Sequence, residues 1–119
     1  MKELYYFISK QDLDKLSTIQ SYKPQSFESE GFIHLAYRHQ LQTVISNFYI
    51  GASDMYLLEI SSIHIEAEIV DEPPVGIEDD GDLYPHLYGA LDKKAVRNIY
   101  ELSIDQHGNF EQHESVFSW

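Results

Sequence analysis

Cysteine is absent from the 119-residue sequence, which excludes disulfide bonds, thiolate catalysis and zinc held by cysteine. Positive charge is also scarce. Eight Lys and Arg residues stand against 20 Asp and Glu residues, and the net charge is −12. A surface this acidic repels phosphate backbones and anionic lipid head groups. We therefore expect neither a nucleic-acid partner nor a membrane partner.

Long apolar runs are absent as well. Lys10, Asp12 and Asp14 interrupt the first residues before they reach the length of a signal peptide. No segment approaches the roughly 20 apolar residues that a membrane span needs. These features predict a cytoplasmic protein. Hydrophobic residues make up 43% of the chain, which is enough for one compact core at this length, so we expect a single domain over residues 1–119.

The hydrophobic pattern predicts an α+β fold in which two helices pack on a mainly antiparallel sheet. Ser9 caps the first predicted helix, which carries Leu13, Leu16 and Ile19 on one face. The second predicted helix spans residues 37–51 and ends at Gly51, a typical C-terminal cap. Strands are predicted at residues 3–9, 32–36, 54–61 and 64–70, from Val96 onward, and at 110–117 after a hairpin turn at 107–109.

Two segments between these elements are predicted to be loops. The first covers residues 21–31 and contains Pro24. The second covers residues 75–89 and follows Pro73 and Pro74, which end a strand. Its acidic part, residues 78–82, lacks the ligand spacing of a calcium loop and is interpreted as a solvated turn. Its last part, YPHLYG, is predicted to be a rigid corner with a Tyr84–Pro85 bond that could be cis.

Two of the six histidines stand out from the other four, which are predicted to lie on the surface (His39, His64, His107 and His113). His34 interrupts the apolar run of residues 32–36, and His86 follows Pro85. One interpretation is that each imidazole satisfies a buried carbonyl or carboxylate and joins two segments. The other is that both rings face one small-molecule pocket.

The neighbours of His86 favour the pocket. Tyr88 offers a stacking face and a hydroxyl, and Gly89 allows close approach of the backbone. The carboxylates of Glu72, Asp80 and Asp82 could orient or protonate a histidine, or could be solvated loop charge. The pocket hypothesis predicts that replacing His86 by alanine weakens ligand binding more than folding.

Four stretches of the sequence carry a resemblance to a known family: Leu4-Tyr5-Tyr6, Glu30-Gly31-Phe32-Ile33-His34, Tyr84-Pro85-His86-Leu87-Tyr88-Gly89 and Ala95-Val96. On these motifs the chain resembles the small bacterial family catalogued as domain of unknown function 952. Members of that family resemble the ADP-ribosyltransferase fold, a split antiparallel sheet around a nicotinamide-nucleotide cleft. The resemblance therefore implies an ADP-ribosylation-like fold and NAD or a related nucleotide as ligand.

The resemblance also implies roles for particular residues. By similarity to RNA 2′-phosphotransferases of the same fold, His34 would line the cleft. Catalytic roles would fall to His34, His86 and Glu72, with Glu72 stabilising the positive charge that develops on a ribose. Contacts to the cofactor would come from Tyr6, Tyr84, Tyr88 and Gly89.

Three positions depart from the pattern that the resemblance implies. Tyr6 stands where such transferases place a histidine or arginine, Ala36 replaces the family's usual serine, and Tyr84 replaces a phenylalanine. The leading hypothesis is accordingly a cleft that binds a nucleotide or another small molecule. One alternative is a transferase of ADP-ribosyl or phosphoribosyl groups. The other is a protein-interaction module that uses the tyrosine-rich surface.

Overall fold

Antiparallel strands make up most of the computed structural model, which describes residues 3–115 of the chain. Within these residues the strands are β1 (Leu4–Ser9), β2 (Ser21–Tyr22), β3 (Ile33–His34), β4 (Ala36–Tyr37), β5 (Met55–Ile60), β6 (Ile69–Glu72), β7 (Tyr84–Leu87), β8 (Leu91–Asp92), β9 (Val96–Ile104) and β10 (Phe110–Ser115). The α-helices are α1 (Lys10–Lys15), α2 (Phe27–Glu30) and α3 (Leu41–Phe48). Short 3₁₀ turns occur at Arg38–Gln40, Ser62–His64 and Lys93–Ala95.

The strands form three sheets. A five-stranded sheet has the order β10-β9-β5-β1-β4, a three-stranded sheet has the order β3-β7-β6, and β2 pairs with β8. Every pairing is antiparallel. The prediction of a mixed fold with mostly antiparallel strands and few helices is therefore confirmed.

Strand β5 is the hydrophobic centre of the molecule. All six of its residues are buried, and Leu57 and Leu58 have no exposed surface. Because successive side chains of a strand point to opposite faces, Leu58 joins one core cluster and Leu57 joins the other. The larger cluster also contains Leu13 of α1, and the smaller one contains Leu41 of α3. The helices thus cover a sheet that is apolar on both faces.

Both predicted helices are confirmed, with shorter bounds. The side chain of Ser9 accepts a hydrogen bond from the backbone N–H of Asp12 at 3.2 Å, which is the predicted N-terminal cap of α1. Helix α3 ends at Phe48, before Gly51, which has a φ of 68°. The segment over residues 21–31 was predicted to be a loop and instead contains β2 and α2. Helix α2 has four residues, too few to produce a recognisable hydrophobic period.

The predicted strand over residues 32–36 is divided between two sheets. Its first part, β3, pairs with β7, and β4 pairs with β1. Between them, the backbone N–H of Leu35 donates to the carbonyl oxygen of Pro85 at 3.0 Å. The chain therefore passes from the three-stranded to the five-stranded sheet at Leu35, and this passage brings His34 close to β1.

The structure corrects two further predictions. The strand predicted over residues 64–70 is a 3₁₀ turn followed by strand β6 alone, because β7 offers pairing partners only for Ile69–Glu72. YPHLYG is not a corner, because Tyr84–Leu87 is the central strand of the three-stranded sheet. All peptide bonds among residues 3–115 are trans, including Tyr84–Pro85.

The C-terminal hairpin confirms the predicted turn. The side chain of Asp105 accepts from the backbone N–H groups of His107 and Asn109 at 2.8 and 2.9 Å, and β10 returns along β9. Residues 116 and 117 of the predicted strand lie outside the described residues. Within residues 3–115, no helix reaches the length and apolar character needed to cross a membrane.

Candidate functional site

His34 and His86 lie side by side on adjacent strands. They are register partners in the pairing of β3 with β7. Their ring centroids are 5.5 Å apart and their planes meet at 77°. Directly paired residues of antiparallel strands project to the same face of a sheet. The three-stranded sheet therefore presents both imidazoles at one place.

His86 is buried and is held by a carboxylate. Only 2% of its surface is exposed, and its Nδ1 lies 2.8 Å from Oε1 of Glu72. The hydroxyl of Tyr88 donates to the same oxygen at 2.5 Å. The hydrogen bonds from Tyr88 and from His86 lower the pKa of the Glu72 carboxyl. Because an ionised carboxylate only accepts, Nδ1 of His86 is the donor in this pair, and in the singly protonated tautomer Nε2 is then an acceptor.

His34 has a carboxylate partner of its own. Its Nε2 lies 2.5 Å from Oε2 of Glu30, the last residue of α2. Gly31, with a φ of 81°, ends α2 in the left-handed conformation and turns the chain toward β3. Glu30 had no predicted role, although it lies four residues before His34. The turn that brings the two together depends on α2, which was missed.

Phe32 is the second residue without a predicted role. Its ring stacks on that of His86, with centroids 4.1 Å apart and an interplanar angle of 19°. It also contacts the rings of His34 and Tyr88, at 4.8 and 5.4 Å. Phe32 precedes His34 by two residues, and this spacing places the two side chains on the same face of an extended segment. Its ring fixes the orientation of both histidines.

A cavity of about 380 Å³ opens beside the two histidines. This volume lies within the range of ligand-binding pockets, roughly 300–1,000 Å³. The lining residues come from β1, from the segment between Pro24 and β4, from α3 and the residue that follows it, from residues 74–77, and from β7. They are Tyr6, Phe7, Pro24, Ser26, Glu30, His34, Leu35, Ala36, Val44, Phe48, Tyr49, Pro74, Val75, Gly76, Ile77, Tyr84 and His86.

Tyr6 and Tyr84, two of the predicted cofactor contacts, line this cavity. The hydroxyl of Tyr84 donates to Oδ2 of Asp80 at 3.1 Å. Burial, together with this hydrogen bond, raises the pKa of Tyr84 to about 12. The hydroxyl of Tyr6 lies 3.5 Å from that of Tyr22, and burial raises the pKa of Tyr6 as well. Both phenols are therefore protonated at neutral pH.

Three other predicted site residues do not line the cavity. Glu72 contacts it only through His86, and Tyr88 is 41% exposed with its hydroxyl on Glu72. At Gly89 an added Cβ atom would lie 2.4 Å from Cβ of Ala67. Gly89 therefore allows two segments of chain to pack closely.

The acidic loop contributes indirectly. Asp82 accepts hydrogen bonds from the surface residue His39 at 2.8 Å and from Gln40 at 2.9 Å, and Asp80 binds Tyr84. These two carboxylates thus fix the loop to its surroundings, whereas the site histidines use Glu30 and Glu72. No group of three or more His, Asp or Glu side chains in the described part of the chain is arranged to hold a metal ion.

Fold and site together define a small α+β protein of mainly antiparallel sheet with two histidine–carboxylate pairs beside a cavity. The chain belongs to the family described as "Protein of unknown function (DUF952)", whose model matches residues 7–99. Both histidine–carboxylate pairs fall inside the matched range. The sequence resemblance to this family is therefore confirmed.

The chain has the same fold as solved structures of a protein from Caulobacter crescentus. The crystal structure of protein CC0527 from Caulobacter crescentus matches with a TM-score of 0.77 and 23% sequence identity, covering 92% of this chain and 93% of that chain. The solution NMR structure of CC0527 matches with a TM-score of 0.73 and 24% identity, covering 91% and 90%. At this identity the likeness shows a shared fold. No curated protein matches the chain.

Proposed function

We propose that the cavity binds a small organic molecule with a planar ring, and that His34 and His86 are its polar contacts. The observation that carries the proposal is the state of His86. Its ring is buried, its Nδ1 is fixed by Glu72, and Nε2 has no hydrogen-bond partner within residues 3–115 although the ring lines the cavity. No buried side-chain nitrogen or oxygen of the described residues lacks a hydrogen-bond partner, so the unpaired Nε2 of His86 is accessible from the cavity and is not enclosed by protein. A ligand in the cavity could therefore form a hydrogen bond with it.

NAD or a related nucleotide is the ligand that the family resemblance implies. Aromatic side chains of the lining, among them Tyr6 and Tyr84, suit a planar ring such as nicotinamide. The cavity lies where β1 of the five-stranded sheet comes close to β3 and β7, which supports an ADP-ribosyltransferase-like cleft between two sheets. None of the described lining residues is Lys or Arg, so a diphosphate would have to extend beyond the cavity.

A second candidate function is transfer of an ADP-ribosyl or phosphoribosyl group. The two histidine–carboxylate pairs favour it, because an imidazole oriented by a carboxylate is suited to proton transfer. In such an enzyme His34 and His86 would act on the substrate, and Glu72 would position His86. The carboxylate that lines the cavity, and could stabilise charge on a ribose, is Glu30.

An amide chemical-shift titration of the labelled protein with nicotinamide, ADP-ribose and NAD tests the proposal. We expect nicotinamide, and NAD through its nicotinamide ring, to cause shifts confined to residues 30–36 and 84–88, and ADP-ribose, which lacks that ring, to cause none there. The variant His86→Asn keeps an N–H near the position of Nδ1 and removes Nε2. We therefore expect it to lose more binding free energy than free energy of unfolding. His113→Asn, on the exposed side of β10, is the matched control.

Two results would contradict the proposal. One is the absence of shifts near the cavity with all three compounds and with the smaller probes described below. The other is a His86→Asn variant that loses stability but keeps its affinity, since the histidine would then only join strands. Transfer of the ADP-ribosyl group from NAD to an acceptor other than water by the wild-type protein would establish the transferase.

A further inference from the structure

We infer that the cavity selects its ligand by hydrogen-bond polarity and charge: it takes a planar organic cation that carries N–H donors, such as an amidinium, and rejects carboxylates and phosphates. This inference rests on the proposed function, because it names the class of ligand for the same cavity. The evidence for it is that most polar side chains of the lining already donate their protons to acceptors in the protein.

Both imidazoles donate a hydrogen bond to a carboxylate. In the neutral ring of His86, Nδ1–H donates to Glu72, and in that of His34, Nε2–H donates to Glu30. The remaining ring nitrogens, Nε2 of His86 and Nδ1 of His34, are therefore acceptors. A carboxylate ionised at neutral pH is also an acceptor only. These three neighbouring groups of the lining thus have no proton left to offer a ligand.

The two tyrosine hydroxyls that were predicted to contact a cofactor are committed in the same way. Tyr84 donates to Asp80 at 3.1 Å. Tyr22 donates to Asp12 at 3.2 Å, so the proton between Tyr6 and Tyr22 comes from Tyr6. Each phenol oxygen can then only accept from a ligand. Two lining hydroxyls remain as donors. They belong to Ser26, which precedes α2, and to Tyr49, which follows α3.

The charge of the lining favours the same class of ligand as its excess of hydrogen-bond acceptors. Glu30 is the one carboxylic side chain among the described lining residues, and none of them is Lys or Arg. Five aromatic side chains (Tyr6, Phe7, Phe48, Tyr49 and Tyr84) surround the space, and aromatic faces attract cations. The chain as a whole carries a net charge of −12. A cation would gain from all three features.

An anion would bind unfavourably for the same reasons. A phosphate or carboxylate that enters the cavity gives up hydrogen bonds to water and needs donors or cations in return. Here it would meet the Glu30 carboxylate and two acceptor nitrogens. Protonated imidazoles would add donors and positive charge for an anion, so the comparison is best made at about pH 8, where an unperturbed imidazole is neutral.

Benzamidine, benzamide and benzoate form a matched series for the test, because they share shape and differ in charge and in donors. In shift titrations at about pH 8 and constant ionic strength, we expect benzamidine to bind at least about tenfold more tightly than benzamide, the advantage of a charge-assisted hydrogen bond. Benzoate should produce no shifts at the cavity. Equal affinity for benzamidine and benzamide would overturn the selection for a cation, and tighter binding of benzoate would reverse it.

Glu30→Gln tests the source of the selectivity, since glutamine keeps the shape and an oxygen that accepts from His34. We expect it to weaken benzamidine about tenfold, by loss of a charged partner, and to change benzamide little. Glu28→Gln is the matched control, because it removes the same charge from an exposed position of the same helix. If both variants weaken benzamidine equally, the general field of the protein is responsible and the role of Glu30 is wrong.

The outcomes separate this inference from the proposed function. If adenosine monophosphate or benzoate binds at residues 30–36 and 84–88 and benzamidine does not, the cavity is a binding site and the inference falls. If neither these probes nor nicotinamide and ADP-ribose shift those residues, both fall together. Benzamidine binding that depends on Glu30 supports both.

Discussion

At the scale of single residues, the site consists of two imidazoles, each held by one carboxylate. Glu30 holds His34 and Glu72 holds His86. A hydrogen bond to one ring nitrogen fixes the tautomer and so determines what the other nitrogen presents. The carboxylates therefore determine the chemistry of the cavity even where, as with Glu72, they do not line it. Tyr88 adds a second hydrogen bond to Glu72 and helps to keep it ionised.

The lowered pKa of Glu72 leads to a prediction about acid stability. Its carboxyl titrates below the ordinary value of 4.5 in the folded protein, because Tyr88 and His86 donate to the ionised form. The stability it contributes is therefore present above about pH 4.5 and is lost as the pH falls through the lower, folded pKa. We expect Glu72→Gln to lose stability at neutral pH and to show a shallower decline of unfolding free energy in acid. Urea unfolding at a series of pH values measures both.

Glu66→Gln provides the control for this experiment. It removes an exposed carboxylate from the segment before β6 and leaves the hydrogen bonds of Glu72 in place. Its acid profile should follow that of the wild type. A Glu72→Gln profile with the wild-type slope would mean that Glu72 does not contribute to the pH dependence of the unfolding free energy.

At the scale of elements, the passage of the chain between two sheets positions His34. Strand β3 ends at His34 and β4 begins at Ala36, so a single residue, Leu35, separates the two pairings. The side chain of His34 belongs to the sheet of His86, while Ala36 pairs with Tyr5 of β1. The cavity lies where the two sheets separate, and both His34 and Ala36 line it.

Elements with a local signal were predictable from the sequence. Ser9 before an amphipathic run marks α1, and the apolar period from Leu41 marks α3. Strand β7 was missed because Pro85 cannot donate in a sheet, which argues against a central strand. Its position depends instead on partners from β3 and β6, which are distant in sequence. Helix α2 was missed because one turn produces no period.

Close packing between the segments that flank β6 and β7 gives a prediction at this scale. An alanine Cβ at position 89 would lie 2.4 Å from Cβ of Ala67, much closer than any van der Waals contact. Overpacking of this kind costs about 1–3 kcal/mol, more than the roughly 0.4–1 kcal/mol gained when Gly→Ala restricts the unfolded chain. We expect Gly89→Ala to lower the free energy of unfolding, as measured in urea.

The double variant Gly89→Ala/Ala67→Gly is the matched control, because it removes the atom that the new methyl group meets. It should recover most of the lost stability, as expected for two positions in direct contact. A neutral or stabilising effect of Gly89→Ala alone would show that the segments can separate without cost.

At the scale of the whole molecule, the site depends on contacts that no short stretch of sequence contains. The sequence identified His34 and His86 because polar rings in apolar surroundings need partners. It predicted Glu72 near them, and the structure places its carboxylate on His86. It did not predict Glu30, because a carboxylate before a glycine in a polar segment resembles any solvated loop. Glu30 is recognisable as a site residue only in the folded structure, where it contacts His34 and lines the cavity.

The net charge of the whole chain leads to the last prediction. Twenty acidic residues and eight basic ones give a charge of −12, and repulsion among like charges destabilises the compact state. Exposed ion pairs such as Lys10–Asp14 contribute little in return. Raising NaCl from about 0.01 M to about 0.15 M shortens the Debye length from about 30 Å to about 8 Å and screens this repulsion. We therefore expect the midpoint of thermal unfolding at neutral pH, followed by circular dichroism, to rise with salt. KCl should act like NaCl, because screening depends on ionic strength, and a midpoint that falls in both salts would mean that attractive pairs outweigh the repulsion.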